Sequence, residues 1–280
     1  MQTPTATSTD DFIPELLKPG EAPYTIINKN GTSPVILVCE HASRHIPEYL
    51  NGLGLSEEVK NSHIAWDPGA LDLAKCLSKK FDATLVHSNI SRLVYDCNRN
   101  IGEASAMTAR SEMFDVPGNI DISTGEIRAR IEQIYNPFSS ALGKVIMDKK
   151  STIAKLTGAE PLLVTVHSFT PVYFGKKRDV EIGILHSGDQ RLADKILELS
   201  PEFADLTIKR NQPYGPEDGV AHTLEEHGLK NRLQNVMIEV RNDLLADSEG
   251  VGKICKVLYN LISPSVPKAS TPSSGGDKKC

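Results

Sequence analysis

Five short runs of nearly continuous apolar, largely β-branched residues constrain this chain more than any other feature. They occupy residues 35–39 (VILVC), 83–87 (ATLVH), 162–166 (LLVTV), 180–185 (VEIGIL) and 236–240 (VMIEV). A strand wet on one face alternates apolar with polar residues. An unbroken run needs apolar cover on both faces, as in a buried sheet. The segments between the runs carry helical stripes instead. Leu71, Ala74, Leu77 and Phe81 fall three and four apart, and Ile127, Ile131, Ile134, Phe138, Leu142 and Val145 mark a longer helix with a kink at Pro137. Further helices are expected over 189–199 and along Ile254, Leu258 and Leu261. Strands alternating with helices predict one α/β domain with a mixed, largely parallel twisted sheet flanked by helices. It should span residues 12–262. Residues 1–11, a polar leader without periodicity, are expected to be a disordered N-terminus, and 263–280 have the Pro/Ser/Gly-rich composition of a disordered tail.

Composition removes several classes of function. With a net charge of -5 and no long Lys/Arg run, nothing would neutralise many phosphates, so nucleic acid is not an expected partner. No stretch approaches the roughly 20 apolar residues that cross a bilayer. The N-terminus lacks a basic and an apolar signal region. The five cysteines, irregularly spaced and without a CxxC pair, read as reduced thiols, and the expected location is the cytoplasm. Any metal site must therefore use histidines and carboxylates. Eight histidines are available.

In α/β sheets ligands gather at the carboxyl ends of strands. The run 35–39 leads into Glu40-His41, 162–166 into His167-Ser168, and 236–240 contains Glu239 and leads into Arg241. A catalytic Zn²⁺ takes three ligands from His and Asp/Glu and keeps a fourth position open, while a nearby carboxylate removes a proton from water. His41 and His167 are the expected first two ligands. Asp67 is chosen as the third; Glu40 and His63 compete for that place. The alternative role for Asp67, just before Pro68, is to cap the next helix. His87, His186 and His227 read as structural, and His63 and His222 as site neighbours.

Residues 91–100 (SRLVYDCNRN) place Arg92, Asp96, Asn98 and Arg99 after a strand. A guanidinium fork matches a carboxylate bidentately. The competing reading is a surface turn with a solvated Asp–Arg pair. Glu239 inside an apolar strand is costly unless paired or used, and burial raises its pKa towards that of a useful base. Pairing with Arg241 on the same strand face is the bland alternative. The loop 211–219 (NQPYGPEDG) has the composition of a substrate-facing lid that would present Tyr214, or of a solvent turn. No nucleophile elbow, phosphate loop or dinucleotide fingerprint is present.

Across roughly residues 34–262 the sequence resembles the N-formylglutamate amidohydrolase family. The resemblance is carried by Glu40-His41-Ala42-Ser43, Trp66-Asp67-Pro68-Gly69-Ala70, the 91–99 block, Thr165-Val166-His167-Ser168-Phe169, Asn211-Gln212-Pro213-Tyr214 and Ile238-Glu239-Val240-Arg241-Asn242-Asp243-Leu244. It implies a phosphorylase/hydrolase-like fold of the zinc carboxypeptidase and aspartoacylase type, with an eight-stranded mixed sheet and one divalent metal, Zn²⁺. By resemblance His41 and His167 are metal ligands and Glu239 activates water. Arg92 polarises the carbonyl, and Asn98-Arg99 grip a substrate carboxylate. Where the carboxypeptidase pattern has a Glu ligand three residues after the first His, this chain has Arg44, so the third ligand must come from elsewhere, here Asp67. The implied reaction is hydrolysis of N-formyl-L-glutamate to formate and glutamate, with Arg241 assigned to the side-chain carboxylate. Alternatives are a carboxypeptidase, another N-acyl amino acid deacylase, or a non-catalytic relative that binds metal or amino acid.

Overall fold

In the computed structural model, which describes residues 12–268, the apolar runs form the centre of a seven-stranded sheet. The strands are β1 (Tyr24–Ile27), β2 (Val35–Cys39), β3 (Thr84–Ser88), β6 (Leu162–Phe169), β9 (Ile182–Leu185), β10 (Ile208–Arg210) and β11 (Gln234–Arg241). Two small hairpins lie outside it, β4 (Arg110–Ser111) with β5 (Phe114–Asp115) and β7 (Val172–Tyr173) with β8 (Lys176–Lys177). The sheet order is β1-β3-β2-β6-β11-β9-β10. Its centre, β3-β2-β6-β11, is parallel throughout. β1 runs antiparallel on one side, and β9 with β10 reverse direction on the other. The sheet is thus mixed and largely parallel, as expected, with seven strands among the described residues rather than eight.

Both faces are covered. The helices are α1 (Glu57–Asn61), α2 (Ala70–Phe81), α3 (Thr124–Arg130), α4 (Asn136–Thr157), α5 (Arg191–Leu199) and α6 (Ser248–Ile262). Val35, Leu37 and Cys39 of β2 pack with Leu73 and Leu77 of α2, Leu192 and Ile196 of α5, and Ile254 and Leu258 of α6. The intervening Ile36 and Val38 turn to the other face, towards Phe138, Leu142 and Ile146 of α4 and to Leu93 and Tyr95. Period-two alternation therefore divides one apolar strand between two cores.

Three expectations are corrected. β6 and β11 do not stop where apolar character fades: their ladder continues through His167 opposite Glu239 to Phe169 opposite Arg241. The single helix expected to kink at Pro137 is α3, a π turn, Ile131–Tyr135, and α4 in direct succession, with Pro137 just after the π turn. The cysteines are not all reduced thiols. Cys76 of α2 and Cys255 of α6 form a disulfide, their Cα atoms 6.2 Å apart and 179 positions apart in sequence. Only the side-by-side packing of the two helices on one sheet face brings them together, which no spacing rule reveals. The leader 1–11 lies outside the described residues, as do 269–280 of the expected tail, while the tail's beginning, Ser263–Ser265, forms a 3₁₀ turn. Among the described residues no helix is long and apolar enough to cross a membrane.

Candidate active site

Parallel β2, β6 and β11 deliver their carboxyl ends to one edge, and a cavity of about 500 Å³ opens there. His41 follows β2. Its carbonyl accepts the Asp67 N–H at 2.9 Å, which ties the 65–69 turn to the strand end. Asp67 does not cap α2: the cap position is Gly69, in the left-handed region at φ 79°, and no side chain caps it. A Cβ at Gly69 would lie 2.4 Å from Leu245 Cβ, so glycine lets this turn press against the segment after β11. The Asp67 carboxylate is freed to point into the site.

There Asp67 Oδ2 lies 3.3 Å from His41 Nδ1, 3.0 Å from His167 Nδ1, and 3.2 Å from the Ser168 N–H. The two Nδ1 atoms are 3.2 Å apart. Of the candidates for third ligand, Asp67 is the one in the group whose donor atoms all converge within 4.8 Å. Glu40 instead lies on the far side of His167, its Oε2 3.1 Å from Nε2 at ion-pair distance without hydrogen-bond alignment. His63 pairs with Glu112 at 2.8 Å. His41 Nε2 meets Asp96 Oδ1 at 2.7 Å. Each histidine therefore turns Nδ1 inward and has a carboxylate beside Nε2; for His41 that contact is a hydrogen bond, the arrangement that fixes tautomer and ring orientation in metal sites.

The electrostatics show what such a group requires. Glu40, Asp67, Asp96 and Glu239 are all buried. Arg92 reaches two of them, Asp96 at 3.0 Å and Asp67 at 3.4 Å. Burial alone would push the Asp67 and Asp96 pKa values up, but His41 and, for Asp96, Arg92 outweigh it and hold both carboxyls well below the ordinary range. Burial would likewise strip the proton from His167, yet the charges of Glu40 and Asp67 raise its pKa well above the ordinary value. Glu239 goes the other way, pushed up to about 7 by burial and the Asp67 charge. Its Oε2 is buried with no hydrogen-bond partner. Crowded carboxylates, two nitrogens at 3.2 Å and an orphaned oxygen make a donor set able to hold a metal ion.

Glycine also shapes the opposite wall. Gly183 of β9 pairs with Glu239, and a Cβ there would lie 2.0 Å from the Gln212 carbonyl. Its absence lets the 211–219 loop settle over the strand, so that Pro213, Tyr214 and Asp218 line the cavity.

The sequence profile of the N-formylglutamate amidohydrolase family matches residues 33–246, most of the described chain. This chain belongs to that family. Members are amidohydrolases, enzymes with small-molecule substrates. Similar solved structures include a gene product of Agrobacterium tumefaciens, 47% identical, with a TM-score of 0.85 over 89% of this chain and 97% of that one. An N-formylglutamate amidohydrolase from Ralstonia eutropha JMP134, 17% identical, shares the fold with a TM-score of 0.59 over 88% and 97% of the two chains. No curated protein matches the sequence.

Not every residue expected at the site of this amidohydrolase reaches it. His41, Asp67, His167, Glu239, Arg92, Arg99 and Tyr214 line the cavity. Asn98 lines it too, but its amide is committed at both ends, Nδ2 donating to the Val220 carbonyl at 2.6 Å and Oδ1 accepting the Thr223 N–H at 2.9 Å. It anchors the 220–223 segment and keeps one N–H and one lone pair beyond those bonds. Arg241 is not at the cavity: its guanidinium bonds Asp243, Glu181 and the Arg178 carbonyl. His222 is turned to the Tyr135 hydroxyl at 2.8 Å. The Asp–Arg pair of the 91–100 block exists, with Asp96 buried and Arg92 half-buried rather than both solvated. Arg178, Glu112 and Tyr173 line the cavity and were not anticipated, because they lie in or beside exposed two-residue strands with no pattern to mark them.

Proposed function

We propose that the chain is a metal-dependent hydrolase that cleaves N-formyl-L-glutamate to formate and L-glutamate. The observation that carries this reading is the convergence of His41 Nδ1, His167 Nδ1 and Asp67 Oδ2 beside the unpartnered Glu239 carboxylate. In this reading those three side chains hold one Zn²⁺ ion, which when bound acidifies water and polarises the formyl carbonyl. Glu239 Oε2 takes a proton from the water as its oxygen attacks the formyl carbon. The carbonyl electron pair moves to oxygen, where the Arg92 guanidinium faces the growing negative charge. Collapse breaks the carbon–nitrogen bond, and Glu239 returns its proton to the departing amine. Arg99, which carries no carboxylate ion pair among the described residues, holds the α-carboxylate, and Tyr214 closes the cavity over the substrate. The carboxypeptidase-like character of the fold belongs to this proposal.

The test joins metal content to a substrate panel of N-formyl-L-glutamate, N-acetyl-L-glutamate and a dipeptide. One metal per chain and preferred turnover of the formyl substrate are expected; preference for the acetyl compound or the dipeptide would make it a deacylase or carboxypeptidase. Glu239→Gln should keep its metal and lose about 10²–10⁴-fold in kcat. Activity within a few-fold of wild type would refute the assignment of the base.

A further inference from the structure

The cavity holds a second guanidinium that nothing in the protein neutralises. Arg178 follows the β7–β8 hairpin and lines the same cavity as Glu239, His41 and His167. Its guanidinium carbon lies 4.5 Å from the Tyr173 ring centre, 4.8 Å from that of Tyr214 and 5.5 Å from that of Phe169. Nη1 donates to the Thr170 carbonyl at 3.3 Å. Among the described residues no carboxylate lies within ion-pair distance. Tyr214 also hydrogen-bonds Arg178; a guanidinium has five N–H donors in a planar fork, and those left over match a carboxylate edge-on.

Apart from Glu239, assigned above to the water, and Arg99, the other charged groups of the wall are already engaged. Arg92 is tied to Asp67 and Asp96. Glu112 accepts from the Phe174 N–H at 3.3 Å and pairs with His63. Asp218 accepts the Gly215 N–H at 2.8 Å. Arg99 and Arg178 are left as two unpaired cations in one cavity, the complement of a substrate with two carboxylates.

The Arg178 backbone is held as firmly as its side chain is stacked. Its N–H donates to the Pro171 carbonyl at 2.9 Å and closes the hairpin. Its own carbonyl accepts from Arg241 Nη1 at 3.2 Å, and the Arg241 guanidinium is braced in turn by Glu181 and Asp243. Arg241, expected to touch substrate, thus reaches the site only through the backbone of a different arginine.

We propose that Arg178 binds the side-chain carboxylate of the substrate and so selects N-acyl derivatives of acidic amino acids, with Arg241 as its positioning residue. The inference rests on the N-formyl amino acid reading above. A neutral side chain would leave the stacked guanidinium desolvated and unpaired, a loss that makes such a site discriminate strongly.

N-formyl-L-glutamine, isosteric with N-formyl-L-glutamate and neutral, provides the test. Wild type should favour the glutamate compound in kcat/KM by about 10²-fold or more. Arg178→Met should lower kcat/KM for that compound about 100-fold, mainly through KM, and change that for the glutamine compound less than three-fold. Arg178→Lys, which keeps charge without the fork, should fall between. Melting temperatures of both variants should match wild type. An unchanged glutamate-to-glutamine ratio in a folded Arg178→Met protein overturns the assignment and leaves the proposed function standing. A metal-loaded wild type that hydrolyses neither formyl compound overturns the proposed function, and this assignment with it.

Discussion

Asp67 shows how one residue's chemistry depends on its neighbour's missing side chain. Its position before Pro68 equally suited a helix cap, and the choice is made by Gly69, which takes the cap position and leaves the carboxylate to the histidines. The placement of His41, His167 and Glu239 in one cavity was legible because each interrupts or follows an apolar run where polarity is expensive. The work of Asp96 and Glu40 was not. A carboxylate that orients a histidine from behind carries no spacing signature, since the partners meet only after two strands have paired. Asp96→Asn should therefore weaken Zn²⁺ binding about 10–100-fold, because it removes the negative charge from the acceptor at 2.7 Å from His41 Nε2. Competition with a chromophoric chelator measures this, and affinity unchanged within two-fold would show that His41 does not depend on Asp96 for its orientation. Arg92 would lose part of its partner in the same variant, so metal affinity, not turnover, is the diagnostic quantity.

At the scale of elements, the buried strands were legible from composition and the edges were not. β1 and β10 are short and partly exposed, and the hairpin strands β4, β5, β7 and β8 hold two residues each, too few for a period. The turn into α2 depends on one glycine. Gly69→Ala combines a positive φ with a 2.4 Å clash against Leu245 and should cost about 2–4 kcal/mol in urea denaturation. A loss below about 0.5 kcal/mol would mean that the turn relaxes freely. The π turn Leu224–Leu229 predicts a pH effect. Its His227 sits 3.1 Å from Ser139 on α4 and has its pKa lowered to about 4 by burial, with His222 and Lys230 adding and Glu226 and Glu40 opposing. Between about pH 6.5 and 4 the unfolded chain takes up a proton at this histidine that the folded chain does not, so stability falls as the pH drops through that window. His227→Gln should flatten the loss by about 2–3 kcal/mol between pH 7 and 4.5. The pKa of His222 is lowered too, so part of the acid sensitivity should persist. Parallel stability curves for the variant and wild type would remove His227 from the explanation.

For the molecule as a whole, the sequence order of the strands gives little hint of their spatial order, and a property of the entire chain follows from that. Cys76 and Cys255 are 179 residues apart, yet α2 and α6 lie together on one sheet face and the two sulfurs join there. A cross-link closing so long a loop restricts the unfolded chain strongly and is expected to add about 2–5 kcal/mol of stability. Cys39 and Cys97 are free and buried, so neither competes for the bond in the folded state. Denatured, unreduced protein should therefore expose three of its five cysteines to a thiol reagent, with all five reacting after reduction. Cys76→Ala should lower Tm by roughly 5–15 °C in a chain of this size. Reductant should lower wild-type Tm by a similar amount and leave the variant unchanged. The two measurements check one another: five reactive thiols before reduction would mean that the bond does not form in solution, whereas three thiols with an unchanged Tm would mean that it forms without stabilising the fold. In the expected case, α2, which carries Gly69 at its start and the Asp67 turn before that, is fixed covalently to the C-terminal helix. Reduction should then loosen the metal site only as far as α2 itself moves, so metal affinity at temperatures well below Tm should be nearly the same in oxidised and reduced protein.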